Sequence, residues 1–230
     1  MPKRRRHNVR RMVAYTAIAV VVIVIIVAVS FSLQAHRTKP VILYVNQGNG
    51  VVNGSNFAPM LEFASSKGFN TIFFQIYRQG DLLFSTGDLG TFVNETHDRG
   101  LEIFFALYIT NSSQVLPTSV FGLGEDGISL DMSTLDLGAQ ESLLASLQAS
   151  FHGKTAVTTT DMTSTLKPDL LILETYGSAT QQYIRPGIIA SVGVFATSSS
   201  ADYQSQFQFA LNNSDGVMVF DYAGLLKSRY

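Results

Sequence analysis

Four acids stand at or just past the ends of apolar runs in a chain with only 14% charged residues. Asp131 closes GISLD, Glu174 closes LLILE, Asp221 closes GVMVFD, and Asp161 follows KTAVTTT. Aromatic residues occupy equivalent places: Tyr44, Tyr77, Tyr108, Tyr176 and Tyr222. Arg78 and Asp81 follow the second apolar run, and Asn46 and Gln47 follow the first. If one fold gathers these ends, carboxylates face tyrosines across a shallow cup, and that suits a sugar. Aromatic rings pack on the C–H faces of a pyranose, while carboxyls accept hydroxyl hydrogen bonds or exchange a proton with a glycosidic oxygen. Hydrolysis needs two carboxyls, ~5–5.5 Å apart for retention or ~6.5–9.5 Å for inversion.

Asp131 and Glu174 are the expected catalytic pair, because each directly ends an apolar run. Neighbouring strands lie ~4.7–4.9 Å apart, so residues two strands apart fall in a workable range. Tyr44, Tyr77, Arg78, Asp81, Tyr108, Tyr176, Asp221 and Tyr222 are the expected substrate contacts. Plainer roles stand beside these. Asp161 reads better as a helix or turn cap than as an acid, and Asp221 could equally cap the short AGLLKSR segment. Strand-end tyrosines are ordinary rim residues, and Arg78 could simply pair with Asp81.

Other chemistries lack their residues. His7, His36, His97 and His152 fall in the tail, the linker and helix ends, which disfavours a histidine-rich zinc hydrolase. Lys67, Lys154, Lys167 and Lys227 are misplaced for a Schiff-base aldolase. Neither a Ser-His-Asp arrangement nor a cysteine is available. Carboxylate chemistry without metal or cofactor is what remains.

The elements that must position these groups recur eight times. Strand-like runs lie at 41–45, 71–77, 101–108, 127–131, 154–160, 170–174, 188–195 and 216–221. Most are continuously apolar, as strands covered on both faces are. Gly68, Gly100, Gly127, Gly153, Gly187 and Gly216 stand at or just before six of them, where a left-handed residue would end a helix. Amphipathic helical stretches follow the first, fourth and seventh runs, with Asn56 and Asp136 as expected caps of the first two. The segments after the third and fifth runs predict loop, or barely one turn. This alternation predicts a small α/β closed barrel, (β/α)8, over 41–230. An open doubly wound sheet would carry a glycine-rich phosphate loop after its first strand, and NQGNGVVNGSN is not one.

FNTIFFQIYRQGDLLFS (69–85) resembles the second strand and loop of a family of extracytoplasmic glycoside-hydrolase-like (β/α)8 barrels. That pattern runs approximately F-N-T-hydrophobic-F-Q-V-R-x-x-G-D-A-L-Y-x-S, and Phe69, Asn70, Thr71, Gln75, Gly80, Asp81 and Leu83 match it. GISLD resembles the family's fourth strand, PDLLILETYG its sixth and GVMVFDYAGL its last, so the resemblance spans about 40–226. It implies Asp131 as the catalytic or binding acid and adds Gln75 to the substrate contacts. Three departures stand out. The family's arginine falls on Tyr77, with Arg78 one place late and on the opposite side of the strand unless the backbone bulges. Met132-Ser133 replaces an aromatic and a following arginine after the fourth-strand acid. Leu173-Glu174-Thr175-Tyr176 stands where P-M-x-Y is usual.

The barrel is expected to follow a membrane anchor. Residues 12–33 are 22 uncharged, Val- and Ile-rich positions, and a spanning helix needs about 20. Six of the first eleven residues are Lys or Arg. By the positive-inside bias, residues 1–11 form a cytoplasmic tail, 12–33 cross the bilayer, and 34–40 link to a barrel outside. A cleaved signal peptide is the rival, but its apolar region is usually ~7–15 residues and SFSLQAH is a poor cleavage site. All 17 acids lie after position 39 against eight Lys and Arg, a net charge of −9 there, which argues against a nucleic-acid partner. Sequons at Asn53, Asn94, Asn111 and Asn212 are compatible with an exported domain. The expected function is a membrane-anchored glycoside hydrolase acting on cell-envelope or glycoprotein glycans. The alternative is a non-catalytic carbohydrate-binding or scaffold barrel.

Overall fold

The computed structural model describes residues 39–47, 52, 56–194 and 200–228. The expected tail, the anchor at 12–33, most of the linker and Asn53 lie outside the described residues. Among those described, no helix is long and apolar enough to cross a membrane.

Eight parallel strands close on themselves: β1 (Val41–Val45), β2 (Thr71–Arg78), β3 (Glu102–Tyr108), β4 (Gly127–Asp131), β5 (Lys154–Thr159), β6 (Leu170–Glu174), β7 (Ile189–Gly193) and β8 (Gly216–Phe220). Each pairs with the next, and β1 pairs with both β2 and β8, which leaves no parallel edge. A two-residue antiparallel strand, Asp81–Leu82, folds back on the end of β2. The helices are α1 (Ala58–Ser66), α2 (Thr86–His97), α3 (Leu137–Ser150), α4 (Ser200–Asn213) and α5 (Tyr222–Ser228). After β3 and β6 the crossover carries only short 3-10 segments, Thr118–Val120 and Ser178–Tyr183, and after β5 the described chain has no helix.

Alternation along the strands builds two cores. Leu43, Ile72, Phe105, Leu130, Val157, Leu173, Val192 and Val219 face outward and pack under the helices. Ile42, Tyr44, Phe73, Phe104, Ala106, Ala156, Ile172, Ile189 and Met218 fill the barrel. Phe73 and Phe104 stack with centroids 4.8 Å apart, and Phe104 lies where a Cβ on Gly127 would come within 2.2 Å of its ring. The strand-preceding glycines therefore do two jobs. Gly68, Gly100 and Gly187 take positive φ, as expected, whereas Gly127, Gly153 and Gly216 do not and instead leave room for packed neighbours.

Local chemistry fixes the ends. Asp136 caps α3 by accepting from Ala139 N at 2.9 Å, and Ser85 caps α2 through Asp88 N at 3.1 Å. Asn56 does not cap α1; Phe57 takes that place without a side-chain bond, and Pro59 in the first turn presets the helical φ. At the opposite face from the acid pair, Asn70, Asp126 and Asp169 repeat one device. Each precedes an even-numbered strand and accepts the first free N–H of the strand before it, from Val41, Ile103 and Thr155 at 2.7–2.8 Å.

Candidate active site

Counting by twos along β2 would send Arg78 to the helices. The strand instead bulges: Gln75 is opposite Ala106 and Tyr77 is opposite Leu107, so Ile76 is an extra residue. Ile76 and Tyr77 both enter the outer core, and Arg78 returns to the barrel mouth beside Gln75. The register then aligns Arg78, Tyr108, Asp131 and Thr158 as one row across β2, β3, β4 and β5. Arg78 carries its guanidinium over the Tyr108 ring, 5.8 Å from the centroid.

A cavity of about 280 Å³ opens at this mouth. Tyr44, Gln75, Arg78, Tyr108, Asp131, Glu174 and Tyr176 line it, joined by Asn46, Ser133 and Phe220. At its centre the Ser133 hydroxyl meets Asp131 Oδ1 at 2.9 Å and Glu174 Oε1 at 2.5 Å. These two oxygens are thus no farther apart than the two contacts laid end to end, about 5.4 Å. One hydroxyl has one proton. Both contacts are hydrogen bonds only if one carboxyl also carries a proton and gives it to Ser133 Oγ.

Burial points the same way. It raises the Asp131 carboxyl above its ordinary 3.8, opposed by bonds from Ser133 and Tyr44. It likewise raises Glu174 above 4.5, opposed by Ser133 and reinforced by the Asp131 charge. The Tyr44 hydroxyl donates to Asp131 Oδ2 at 3.2 Å, and burial first, then that carboxylate, holds the phenol well above its usual range. Burial also raises Tyr176, with the Glu174 charge second. The Tyr176 oxygen accepts from Ser191 Oγ at 3.3 Å. Phe220 sits between the two tyrosines, 5.0 Å from Tyr44 and 6.1 Å from Tyr176.

The backbone around Ser133 is held from three sides. Met132 N donates to Thr158 O at 3.0 Å, Thr160 Oγ1 to Ser133 O at 3.0 Å, and buried Gln140 Nε2 to Leu135 O at 2.7 Å and Met132 O at 3.3 Å. In the same row and just below Asp131, the hydroxyls of Thr158 and Ser129 are buried without a hydrogen-bond partner.

Four expected contacts lie elsewhere. Tyr77 faces outward because of the bulge, and its hydroxyl donates to Val115 O at 3.0 Å. Asp81 is exposed on the two-residue strand and forms no ion pair with Arg78; among described residues the ion pairs are His97–Asp126 and Lys154–Glu102. Asp221, reached through a cis peptide bond from Phe220, turns to accept from Gly224 N at 2.9 Å and so caps α5. Tyr222 packs on Phe63 in the outer core, with centroids 5.2 Å apart. Asp161 holds its own turn, accepting from Thr163 N and Oγ1. A larger depression of about 580 Å³ beside Leu82 and Leu83 offers a single carboxyl, Asp88, which Ser85 Oγ already engages at 2.6 Å. Among the described residues no group of three His, Asp or Glu could hold a metal.

Ser133, which bridges the two acids, is the cavity residue that sequence reasoning missed. Its signal was its position two residues past a strand-ending acid, which returns a side chain to the same face.

No protein-family model matches the chain, and no curated protein matches it in sequence. Solved structures do. A GH113 β-1,4-mannanase superposes with a TM-score of 0.55 at 9% identity, over 80% of this chain and 88% of that one. The GH113 β-mannanase of Alicyclobacillus acidocaldarius gives 0.52 at 9% identity, over 80% and 86%. An HpcH/HpaI aldolase from Desulfitobacterium hafniense DCB-2 gives 0.53 at 8% identity, over 87% and 92%. At such identities the likeness is one of fold: the chain shares the barrel of these glycoside hydrolases. One of the three is an aldolase, so the chemistry has to be argued from side chains.

Proposed function

We propose that this chain is a glycoside hydrolase that cleaves cell-envelope or glycoprotein glycans with retention, using Asp131 and Glu174. The observation carrying the proposal is the Ser133 bridge, which limits the acid oxygens to about 5.4 Å. So close an approach of the two acids suits the ~5–5.5 Å of retaining pairs better than the ~6.5–9.5 Å that leaves room for an inverting water.

The roles follow from hydrogen bonding. Asp131 accepts from both Ser133 and Tyr44 and is the better-supported anion, hence the nucleophile. Glu174 has only Ser133, and burial and its neighbour's charge favour its acid form. Glu174 gives its proton to the glycosidic oxygen as Asp131 attacks the anomeric carbon, forming a glycosyl ester and releasing the leaving sugar. The Glu174 carboxylate then takes a proton from water, whose oxygen displaces Asp131 and regenerates both groups. Tyr44, Tyr176 and Phe220 supply the apolar wall for the ring. Anchoring through residues 12–33, with the barrel outside the cell, belongs to the same proposal and rests on the apolar run and the basic flank before it.

One observation favours the second reading, a barrel that binds glycan without cleaving it. The Ser133 hydroxyl occupies the space between the carboxyls and must rotate away before a glycosidic oxygen can enter. Incubation with a glycan panel separates the readings. Hydrolysis with a product of retained anomeric configuration, seen by proton NMR and lost in Asp131→Asn and Glu174→Gln, is the expected result. Binding with no cleavage by the wild-type chain would leave only the second.

A further inference from the structure

We infer that this cleft selects an acidic sugar, one bearing a carboxylate, and that Arg78 is the residue that reads it. The inference rests on the glycan-hydrolysing reading above and deepens it.

A guanidinium at a cleft that already holds two carboxyls has an obvious duty, to neutralise them. Arg78 does not perform it. It makes no ion pair with any described residue, and Ser133 and Tyr44 are what support the acid pair. The register explains why. Tyr108 stands between Arg78 and Asp131 in the row, so their strands are two spacings, roughly 9–10 Å, apart at the backbone. The guanidinium lies over the Tyr108 ring, and its N–H donors meet no acceptor among the described residues. With the acid pair sharing one proton, the cleft is left with one negative charge at Asp131 and Glu174 and one unanswered positive charge at Arg78.

A planar, always-charged fork presented in this way matches a carboxylate in two parallel hydrogen bonds. The cavity, about 280 Å³, is equivalent to about nine waters at ~30 Å³ each, room for one sugar ring. A ring with its anomeric carbon at Asp131 and Glu174 spans the Tyr108 position and turns its far substituent to Arg78. A neutral hydroxymethyl there would leave a half-buried cation unanswered, whereas a carboxylate answers it. The bulge in β2 strengthens the case, since without it Arg78 would point to the helices and Tyr77 would take its place.

The full chain in detergent micelles would be titrated with matched pairs that differ in the charge of the carboxyl group: sialyllactose and its methyl ester, a hyaluronan tetrasaccharide and its carboxyl-reduced form, and tetragalacturonate and its methyl ester. A sulfated disaccharide beside its unsulfated form distinguishes a carboxylate from other anions. Saturation-transfer NMR reads binding and reducing-end release reads cleavage. At least one acidic member should bind tenfold or more tighter than its neutral partner, Arg78→Gln should erase that preference, and Arg78→Lys should restore part of it. Neutral members bound or cleaved as well as acidic ones, a preference that survives in Arg78→Gln, or preference for sulfate over carboxylate would overturn the inference and leave glycan hydrolysis standing. Failure of every glycan to bind or react would overturn both. If Arg78→Gln fails to fold, the matched pairs and the lysine variant still decide.

Discussion

Replacing Ser133 with alanine should change how the acid pair holds its proton without disturbing the barrel. Two carboxylates whose bridged oxygens lie at most about 5.4 Å apart repel by at least about 3 kcal/mol at an effective dielectric constant near 20. The pair therefore sheds its first proton well before its second, and between the two steps it carries a single negative charge. In that state Ser133 receives one hydrogen bond and gives one to an anion. A bond to a charged acceptor is worth about 1.5–3 kcal/mol and one between neutral groups about 0.5–1.5. Removing Ser133 thus costs the singly charged state more than the fully protonated one, by on the order of 1–1.5 kcal/mol. The first titration should move up by about one pH unit, at about 1.36 kcal/mol per tenfold. Carboxyl carbon NMR on Asp- and Glu-labelled protein reads this without a substrate, with Asp131→Asn and Glu174→Gln assigning the signals. A first step that stays in place, or two carboxyls that titrate together at ordinary values, would refute the shared-proton argument.

Two further substitutions test the electrostatics and the packing. Asp131 is buried with its carboxyl raised above 3.8, so its stabilising contribution is complete below that value and is lost as pH rises through the folded-state value. Asp131→Asn should therefore raise the melting temperature at pH 7 and lose that advantage near pH 4; a gain at pH 4 that equals or exceeds the gain at pH 7 would contradict the sign. Gly127→Ala would place a Cβ 2.2 Å from the Phe104 ring and 2.7 Å from Lys154 O. Because the second contact is backbone, a ring rotation cannot relieve it, and overpacking of about 2–3 kcal/mol should lower Tm by roughly 4–12 °C for a domain of this size. An unchanged melting curve would show that the barrel interior is looser than described.

The barrel was legible because its signals are redundant. Eight apolar runs at crossover spacing repeat one statement, so losing a helix after β5 or finding only a short 3-10 segment after β6 does not alter the count. The α2 helix went unread because its buried face, Leu89, Phe92, Val93 and Thr96, is thin beside its polar surroundings. Its cap is plain only once Ser85 and Asp88 are seen bonded to each other. The strand-end acids were harder to sort. Asp131, Asp161, Glu174 and Asp221 look alike in sequence, yet Asp161 and Asp221 spend their oxygens on local N–H groups. The other two are held by a serine and face the cavity. What separates them is reach across the barrel: Ser133 joins Asp131 to Glu174, whereas Asp161 and Asp221 are engaged within their own turns.

The second strand carries the deeper lesson. Side-chain parity is a reliable guide only while the ladder is unbroken, and one inserted residue reverses every assignment beyond it. Here it exchanges a tyrosine for an arginine at the cleft, which converts a neutral aromatic wall into a charged one. Nothing in TIFFQIYRQG marks Ile76 as the extra residue, because Ile76 and Tyr77 are both apolar enough to sit against the helices. The bulge avoids an alternative: in regular register the Arg78 side chain would turn toward the helix layer, and burying an unpaired cation there costs more than a broken ladder step. The same energetics that refuse the arginine a place in the outer core deliver it to the mouth, which it lines with Asp131 and Glu174.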